Sequence, residues 1–121
     1  MLIGPSKLGR VVALREIPAM SDFVRICAQS ELPPPNEVRE FTAAGRTLCV
    51  ANVGGSICVL DGVCPHEGGP LGEGTIEEGR VVCPWHGYAF DVHTGEAQDA
   101  PELKAAMLES RVEAGELRAK L

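Results

Sequence analysis

Two short clusters of cysteine and histidine constrain this chain more than any other feature. The first is Cys64-Pro65-His66, and the second, which follows after sixteen intervening residues, is Cys83-Pro84-Trp85-His86. The chain has only five cysteines and three histidines, so chance would not be expected to place four of these eight residues in two short clusters. A thiolate and an imidazole from each cluster would supply four metal ligands, so the fold must bring the two clusters together.

A donor set of two cysteines and two histidines fits two kinds of metal centre. Zinc binds four such ligands tetrahedrally, but its sites usually draw them from C-x₂₋₄-C and H-x₃₋₅-H pairs. Each cluster here is a mixed pair instead, C-x-H and then C-x-x-H. The other centre is a [2Fe–2S] cluster with two thiolates on one iron and two imidazoles on the other. The mixed spacing favours the iron–sulfur centre, and zinc stays the structural alternative.

The residues after the second cluster carry a resemblance to a known family. Together the two clusters and their surroundings read C-P-H-x₁₆-C-P-W-H-G-Y-x-F-D-x-x-T-G-E. This pattern closely resembles that of the Rieske [2Fe–2S] proteins, over about residues 22–121. The resemblance implies that Cys64, His66, Cys83 and His86 bind the metal of one Rieske-type [2Fe–2S] cluster. It also implies an all-β fold, a Rieske-like antiparallel β sandwich or barrel with the cluster held between two hairpin loops.

The resemblance also separates two branches of the family. Rieske proteins of respiratory and photosynthetic complexes have an additional cysteine in each loop, joined as a disulfide, where this chain has Gly69 and Trp85. They also have a serine and a tyrosine that donate hydrogen bonds to sulfur, where this chain has Tyr88 and Phe90. Fewer donors leave more negative charge on the cluster. We therefore expect a reduction potential in the lower part of the Rieske range of about −150 to +300 mV.

A low-potential centre is similar to those of Rieske-type ferredoxins and of ring-hydroxylating oxygenases. An oxygenase subunit also needs a mononuclear iron site with two histidines and a carboxylate, and only His93 is left to build one. The resemblance therefore implies an electron carrier and not an enzyme, which passes electrons from a flavin-dependent reductase to a terminal oxygenase. Two alternatives stay open. One is the small Rieske-like subunit that serves the large subunit of an NAD(P)H-dependent nitrite reductase, and the other is a zinc-bound structural module.

The rest of the sequence predicts one domain built from short strands. Alternating or β-rich runs recur at short spacing and are separated by glycine turns, which is typical of a β sandwich or barrel. Hairpin turns are predicted at Val53-Gly54-Gly55-Ser56 and at Glu77-Glu78-Gly79-Arg80. The segment 101–107 favours a helix locally but is short, and we predict none there. We expect the Rieske domain to occupy residues 22–121, after an extension of residues 1–21 that is flexible or forms an added strand.

Charge and composition exclude several classes of partner. The formal net charge is −6, and the sequence has no basic patch to neutralise nucleic-acid phosphates. No apolar run approaches the ~18–20 residues of a membrane span, and the first twenty residues lack a signal-peptide core. We therefore expect a cytoplasmic monomer that binds neither nucleic acid nor membrane. Three more cysteines, Cys27, Cys49 and Cys58, lie in apolar stretches and are predicted to be small buried hydrophobic residues.

Acidic residues are frequent in and near the two loops. We expect some of them to steer the chain toward its redox partners, because complementary fields speed weak and brief association. If the contact is apolar instead, Pro70, Leu71 and Trp85 are the candidates. The segment Asp99-Ala100-Pro101 matches a third, covering loop of the family. The acidic residues in question are Glu67, Glu73, Glu77, Glu78, Asp91, Glu96 and Asp99.

Overall fold

The structure, a computed structural model, describes residues 23–121. The predicted extension over residues 1–21 lies outside the described residues. Within the described range the regular structure is nearly all β-strand, with short 3-10 turns at Gln29–Glu31 and Leu71–Glu73. No helix in this range is long and apolar enough to cross a membrane. The strands of this range are β1 (Phe23–Ala28), β2 (Glu37–Ala43), β3 (Arg46–Val53), β4 (Ser56–Asp61), β5 (Thr75–Glu77), β6 (Arg80–Val82), β7 (Ala89–Asp91), β8 (Glu96–Ala97), β9 (Ala100–Lys104), β10 (Met107–Leu108), β11 (Ser110–Glu113) and β12 (Glu116–Lys120).

These strands form three antiparallel sheets. The central sheet has four strands in the order β10-β4-β3-β2. A three-stranded sheet has the order β1-β12-β11, and a five-stranded sheet contains β5 to β9 in sequence order. Neighbouring strands in all three sheets run antiparallel, which confirms the predicted all-β class.

The β3–β4 hairpin shows how the sequence sets the strand register. Both glycines of the turn at 54–55 have positive φ angles, 60° and 99°, so a two-residue turn joins the strands. Cys49 then lies opposite Leu60, and Cys58 lies opposite Ala51. The two thiols are therefore diagonal neighbours, as predicted, and all five cysteines of the chain are free.

The central sheet packs against a separate core on each face. Side chains of a strand alternate between the two faces, and β3 divides accordingly. Leu48 and Val50 lie in one core, together with residues of the three-stranded sheet. Cys49 lies in the other core, which also contains residues of the five-stranded sheet and the thiols of Cys64 and Cys83. The two predicted thiol ligands are thus anchored in the hydrophobic interior.

The three remaining cysteines have the structural role predicted for them. Cys27 and Cys49 are buried members of the two cores, and Cys58 packs against the second core. Burial raises the pKa of all three thiols, and that of Cys49 to about 12. They are therefore neutral at physiological pH and behave as small apolar residues.

The C-terminal part of the domain connects two of the sheets. Residues 101–107 form no helix, as predicted, and most of them belong to the edge strand β9 and to β10. The strands β10 and β11, which follow each other closely in the chain, belong to different sheets. Leu108 pairs with Val59 of the central sheet, whereas Ser110 pairs with Ala119 of the three-stranded sheet. Both segments are extended, so the sequence pattern does not reveal that the chain changes sheets between them.

Candidate metal centre

The second cysteine–histidine loop is the tip of the β6–β7 hairpin. The Cys83 N–H donates to the Tyr88 carbonyl oxygen at 2.8 Å and closes the loop. The chain reverses there through left-handed backbone at His86 and Gly87, with φ angles of 65° and 74°. A positive φ is uncommon for a residue with a side chain, although histidine adopts it more readily than most residues. The loop thus fixes the backbone from which the His86 imidazole projects.

The first loop is closed by an equivalent hydrogen bond. The Cys64 N–H donates to the Gly69 carbonyl oxygen, five residues further on, also at 2.8 Å. An isolated antiparallel bridge between Val63 and Pro70 holds the base of this loop. Both predicted loops are therefore present, but only the second is the tip of a hairpin between two paired strands.

The two loops touch at Gly69. A Cβ atom at this position would lie 2.7 Å from the Cys83 Sγ and 3.0 Å from the Trp85 Cγ. Real Cβ atoms essentially never come as close to another heavy atom as the first of these distances. Glycine is therefore required for the first loop to lie directly against the second thiol.

The four predicted ligand residues meet at this contact and form two layers. Cys64 and Cys83 are only 2% and 1% exposed, and Cys64 lies close enough to the Cys83 thiol to raise its pKa. His66 and His86 lie outside this pair, with ring centroids 5.2 Å apart and ring planes at 88°. The His86 side chain is 54% exposed. The thiols therefore face the protein interior, and the imidazoles lie on the solvent side.

The environment of the Cys83 thiol suits metal binding. Burial raises the pKa of this thiol, the Trp85 backbone N–H opposes the rise by donating to the sulfur, and the neighbouring Cys64 adds to it. A metal ion deprotonates the thiol that coordinates it. A bound cation would therefore balance the negative charge of the buried thiolate. The Trp85 N–H is a donor to sulfur that the sequence analysis did not identify, because any residue type offers a backbone N–H.

Two further side chains contact the imidazoles. The Tyr88 ring lies 4.4 Å from the His66 ring, measured between centroids, and is tilted by 43°. The Glu67 Oε1 atom lies 3.4 Å from the His86 Nδ1 atom. His66, Glu67 and His86 each offer a ligand atom within 4.8 Å of the other two. In the sequence Glu67 is one of several acidic residues near the loops, and nothing in the pattern places it against a histidine.

The apolar candidates for a contact surface are not equally accessible. Trp85 is 49% exposed beside the second loop, whereas Leu71 is fully buried in the core. The prediction that Leu71 belongs to an exposed contact surface is therefore wrong, because the 3-10 turn at Leu71–Glu73 directs this side chain inward. Val63, directly before Cys64, is 48% exposed, and the sequence analysis did not single it out.

The segment predicted to be a covering loop lies only partly beside the histidines. Asp99 lines a hollow of about 140 Å³ together with His86 and Tyr88. Pro101, in contrast, lines a separate hollow that contains Arg80. The covering position therefore belongs to the start of this segment and not to its proline.

The end of the sequence motif is a structural turn. The Asp91 Oδ1 accepts hydrogen bonds from the backbone N–H groups of His93 and Thr94, at 2.7 and 3.1 Å, and these bonds lower the pKa of Asp91. Gly95 has a φ of 82°, and a Cβ there would lie 2.1 Å from the Ala105 carbonyl oxygen. His93 is exposed in this turn and lies outside the two loops.

Comparison with known proteins agrees with this geometry. The profile of the Rieske [2Fe-2S] domain family matches residues 22–114. Ferredoxin CarAc of Metapseudomonas resinovorans is 30% identical over 96 residues, which cover 78% of this chain and 90% of that ferredoxin. A chain in the solved complex of reduced oxygenase and oxidized ferredoxin in carbazole 1,9a-dioxygenase has a TM-score of 0.71 and 30% identity. That match covers 81% of this chain and 92% of the other.

A different kind of relative shares only this domain. Human apoptosis-inducing factor 3 is 44% identical over 67 residues, which are 55% of this chain but 11% of that protein. The chain thus spans about a tenth of the length of this relative. The fold and the paired loops define an all-β iron–sulfur protein. The chain belongs to the Rieske [2Fe-2S] domain family.

The cofactor of this family is a Rieske-type [2Fe–2S] cluster, one per chain, and the donors found here fit it. Such a cluster needs two thiolates on one iron and two imidazoles on the other. The inner layer of thiols and the outer layer of imidazoles match this division. The close packing at Gly69 also brings the two loops near enough to share one cofactor.

We predict that Gly69→Ala removes most of the bound cluster. The added Cβ collides with the Cys83 Sγ and separates the loops, and overpacking of this kind typically costs about 1–3 kcal/mol. The measurement is the iron and sulfide content of the purified protein. Gly68→Ala is the control for backbone strain, because it adds a Cβ in the same loop into open space but at a φ of 81°, which alanine adopts only with strain. Equal cluster content in the two variants would contradict the prediction.

Proposed function

We propose that this chain is a Rieske-type ferredoxin, a carrier of one electron from a flavin-dependent reductase to a terminal oxygenase. The observation that carries the proposal is the layered donor set. Cys64 and Cys83 would hold one iron at the buried thiols, and His66 and His86 would hold the other at the imidazoles on the solvent side. The dioxygenase ferredoxins to which the chain is similar support the carrier role.

The mechanism is outer-sphere electron transfer, so no bond to a substrate forms. The [2Fe–2S] cluster supplies one-electron redox chemistry when it is bound. The protein buries the two thiolates, which shields them from water, and holds the loops in a fixed geometry through the Cys64 and Cys83 backbone hydrogen bonds. The exposed edge of His86 gives the electron a short path to a docked partner.

The surface around the imidazoles is the proposed docking surface. Trp85 is an exposed apolar side chain of the second loop, Val63 is one at the base of the first, and tryptophan is among the residue types enriched in the energetically dominant positions of interfaces. The segment 62–104 contains eight acidic and two basic residues, whereas the other described residues contain seven and six. The negative charge of the described chain is thus concentrated in the segment that carries both loops. This asymmetry favours partners with a basic surface.

The net negative charge and the free cysteines support a soluble, monomeric carrier in the cytoplasm that binds neither nucleic acid nor membrane. Free, buried thiols such as Cys27 and Cys49 fit a reducing compartment. A nitrite reductase subunit and a zinc-bound module were the alternatives. None of the relatives described above is either of these, so we do not favour them.

Analysis of the purified holoprotein tests the proposed function. We expect two irons and two sulfides per chain, a red-brown colour, and the EPR spectrum of a histidine-ligated centre after reduction by one electron. The potential should lie in the lower part of the window of about −150 to +300 mV, because Phe90 offers no hydroxyl group to sulfur. A colourless protein with one bound zinc would end this proposal.

A further inference from the structure

The carboxylate of Glu67 lies beside the imidazoles of both loops. Glu67 follows His66 in the first loop, and its carboxylate reaches across to the second loop, where Oε1 lies 3.4 Å from the His86 Nδ1. Its side chain is 56% exposed. Among the ion pairs of the described residues, none joins Glu67 to a lysine or an arginine. Within residues 23–121, a carboxylate without a lysine or arginine partner therefore lies beside both imidazoles.

Reduction places one further negative charge at this location. In the oxidised state the 2+ charge of the [2Fe–2S] core is cancelled by the two thiolates. An electron added to the bound cluster would leave it with one net negative charge, and an iron held by neutral imidazoles would accept that electron more readily than one held by anionic thiolates. A carboxylate a few ångströms away repels this charge, and partial exposure to water screens the repulsion without removing it.

We propose that Glu67 holds the reduction potential low by placing its carboxylate beside the histidine-ligated iron. The inference rests on the proposed function, because it takes His66 and His86 as ligands of that iron. This effect of Glu67 is separate from the effect of the missing hydroxyl donors. The missing donors concern hydrogen bonds to sulfur, whereas Glu67 acts through its charge on the side of the imidazoles. Glu67 is a positioning and tuning residue and does not itself receive the electron.

The test compares potentials of intact holoproteins by protein-film voltammetry. Glu67→Gln removes the charge at nearly constant size. We expect it to shift the equilibrium between oxidised and reduced protein about tenfold toward the reduced form, which is about 59 mV upward for one electron. Glu67→Asp retains the charge and should keep most of the low potential. Glu113→Gln makes the same charge change in the hairpin between β11 and β12, in the sheet that does not carry the loops, and should leave the potential unchanged.

Several outcomes would overturn the inference. One is a Glu67→Gln protein with an intact cluster and the wild-type potential. Another is an equal shift in Glu113→Gln, which would show that net charge and not position matters. If Glu67→Gln loses the cluster, the reduction potentials of Glu67→Asp and Glu67→Ala test the inference instead. A charge effect requires the potential of Glu67→Asp to be lower than that of Glu67→Ala. Iron and sulfide analysis tests the proposed function separately, so a failure of either idea is recognised by its own measurement.

Discussion

Replacing His86 with glycine should abolish the assembled cluster. The first and second loops contain one histidine each, so no other imidazole is available to take its place. Glycine is the most informative substitution because residue 86 has a φ of 65°, which glycine adopts without strain and alanine does not. The loss can then be assigned to the imidazole and not to the backbone. We expect the iron and sulfide content and the visible absorbance to fall close to zero.

Two comparisons make this experiment specific. His93→Ala removes the histidine of the exposed turn after β7 and should leave the cluster content unchanged. Added imidazole should restore part of the absorbance of His86→Gly, because the His86 side chain lies at the surface and leaves an open position. A His86→Gly protein that retains two irons and a normal spectrum would show that His86 is not a ligand.

The sequence predicts a metal centre at the two loops because the chemistry of such a centre requires rare residues at short spacing. Cysteine and histidine within three or four positions can be recognised without any knowledge of the fold. The hairpin of β3 and β4 was equally predictable, since two glycines and alternating apolar residues fix both the turn and the register. These features are local, and local patterns are what a sequence displays directly.

The features that the sequence did not predict depend on contacts between distant segments. Leu71 lies in a glycine-rich loop and was expected at the surface, but the fold turns it into the core. The contact between Glu67 and His86 joins two loops, and neither loop alone indicates it. The clash that requires glycine at position 69 likewise involves an atom of Cys83, which is fourteen residues away. Such constraints become visible only when the two loops are placed side by side.

The concentration of negative charge around the loops should control how fast the protein exchanges electrons with charged reagents. Small oxidants test this without knowledge of the natural partners. We expect the rate with a cationic cobalt complex to fall as salt rises, and the rate with anionic ferricyanide to rise. The screening length decreases from ~10 Å at 0.1 M salt to ~3 Å at 1 M, so steering should largely vanish over that range. Stopped-flow measurement of the reduced holoprotein gives both rates.

Single charge reversals locate the effect on the surface. Glu73→Lys, in the exposed turn after the first loop, should weaken both salt dependences, whereas Glu113→Lys should change them little. Glu67 is unsuitable for this test, because its contact with His86 is expected to alter the driving force as well. Rates that change neither with salt concentration nor with Glu73→Lys would contradict electrostatic steering. The exposed apolar side chain of Trp85 would then make the main contact, and Trp85→Ala should slow transfer to protein partners about tenfold or more while leaving the small-oxidant rates unchanged.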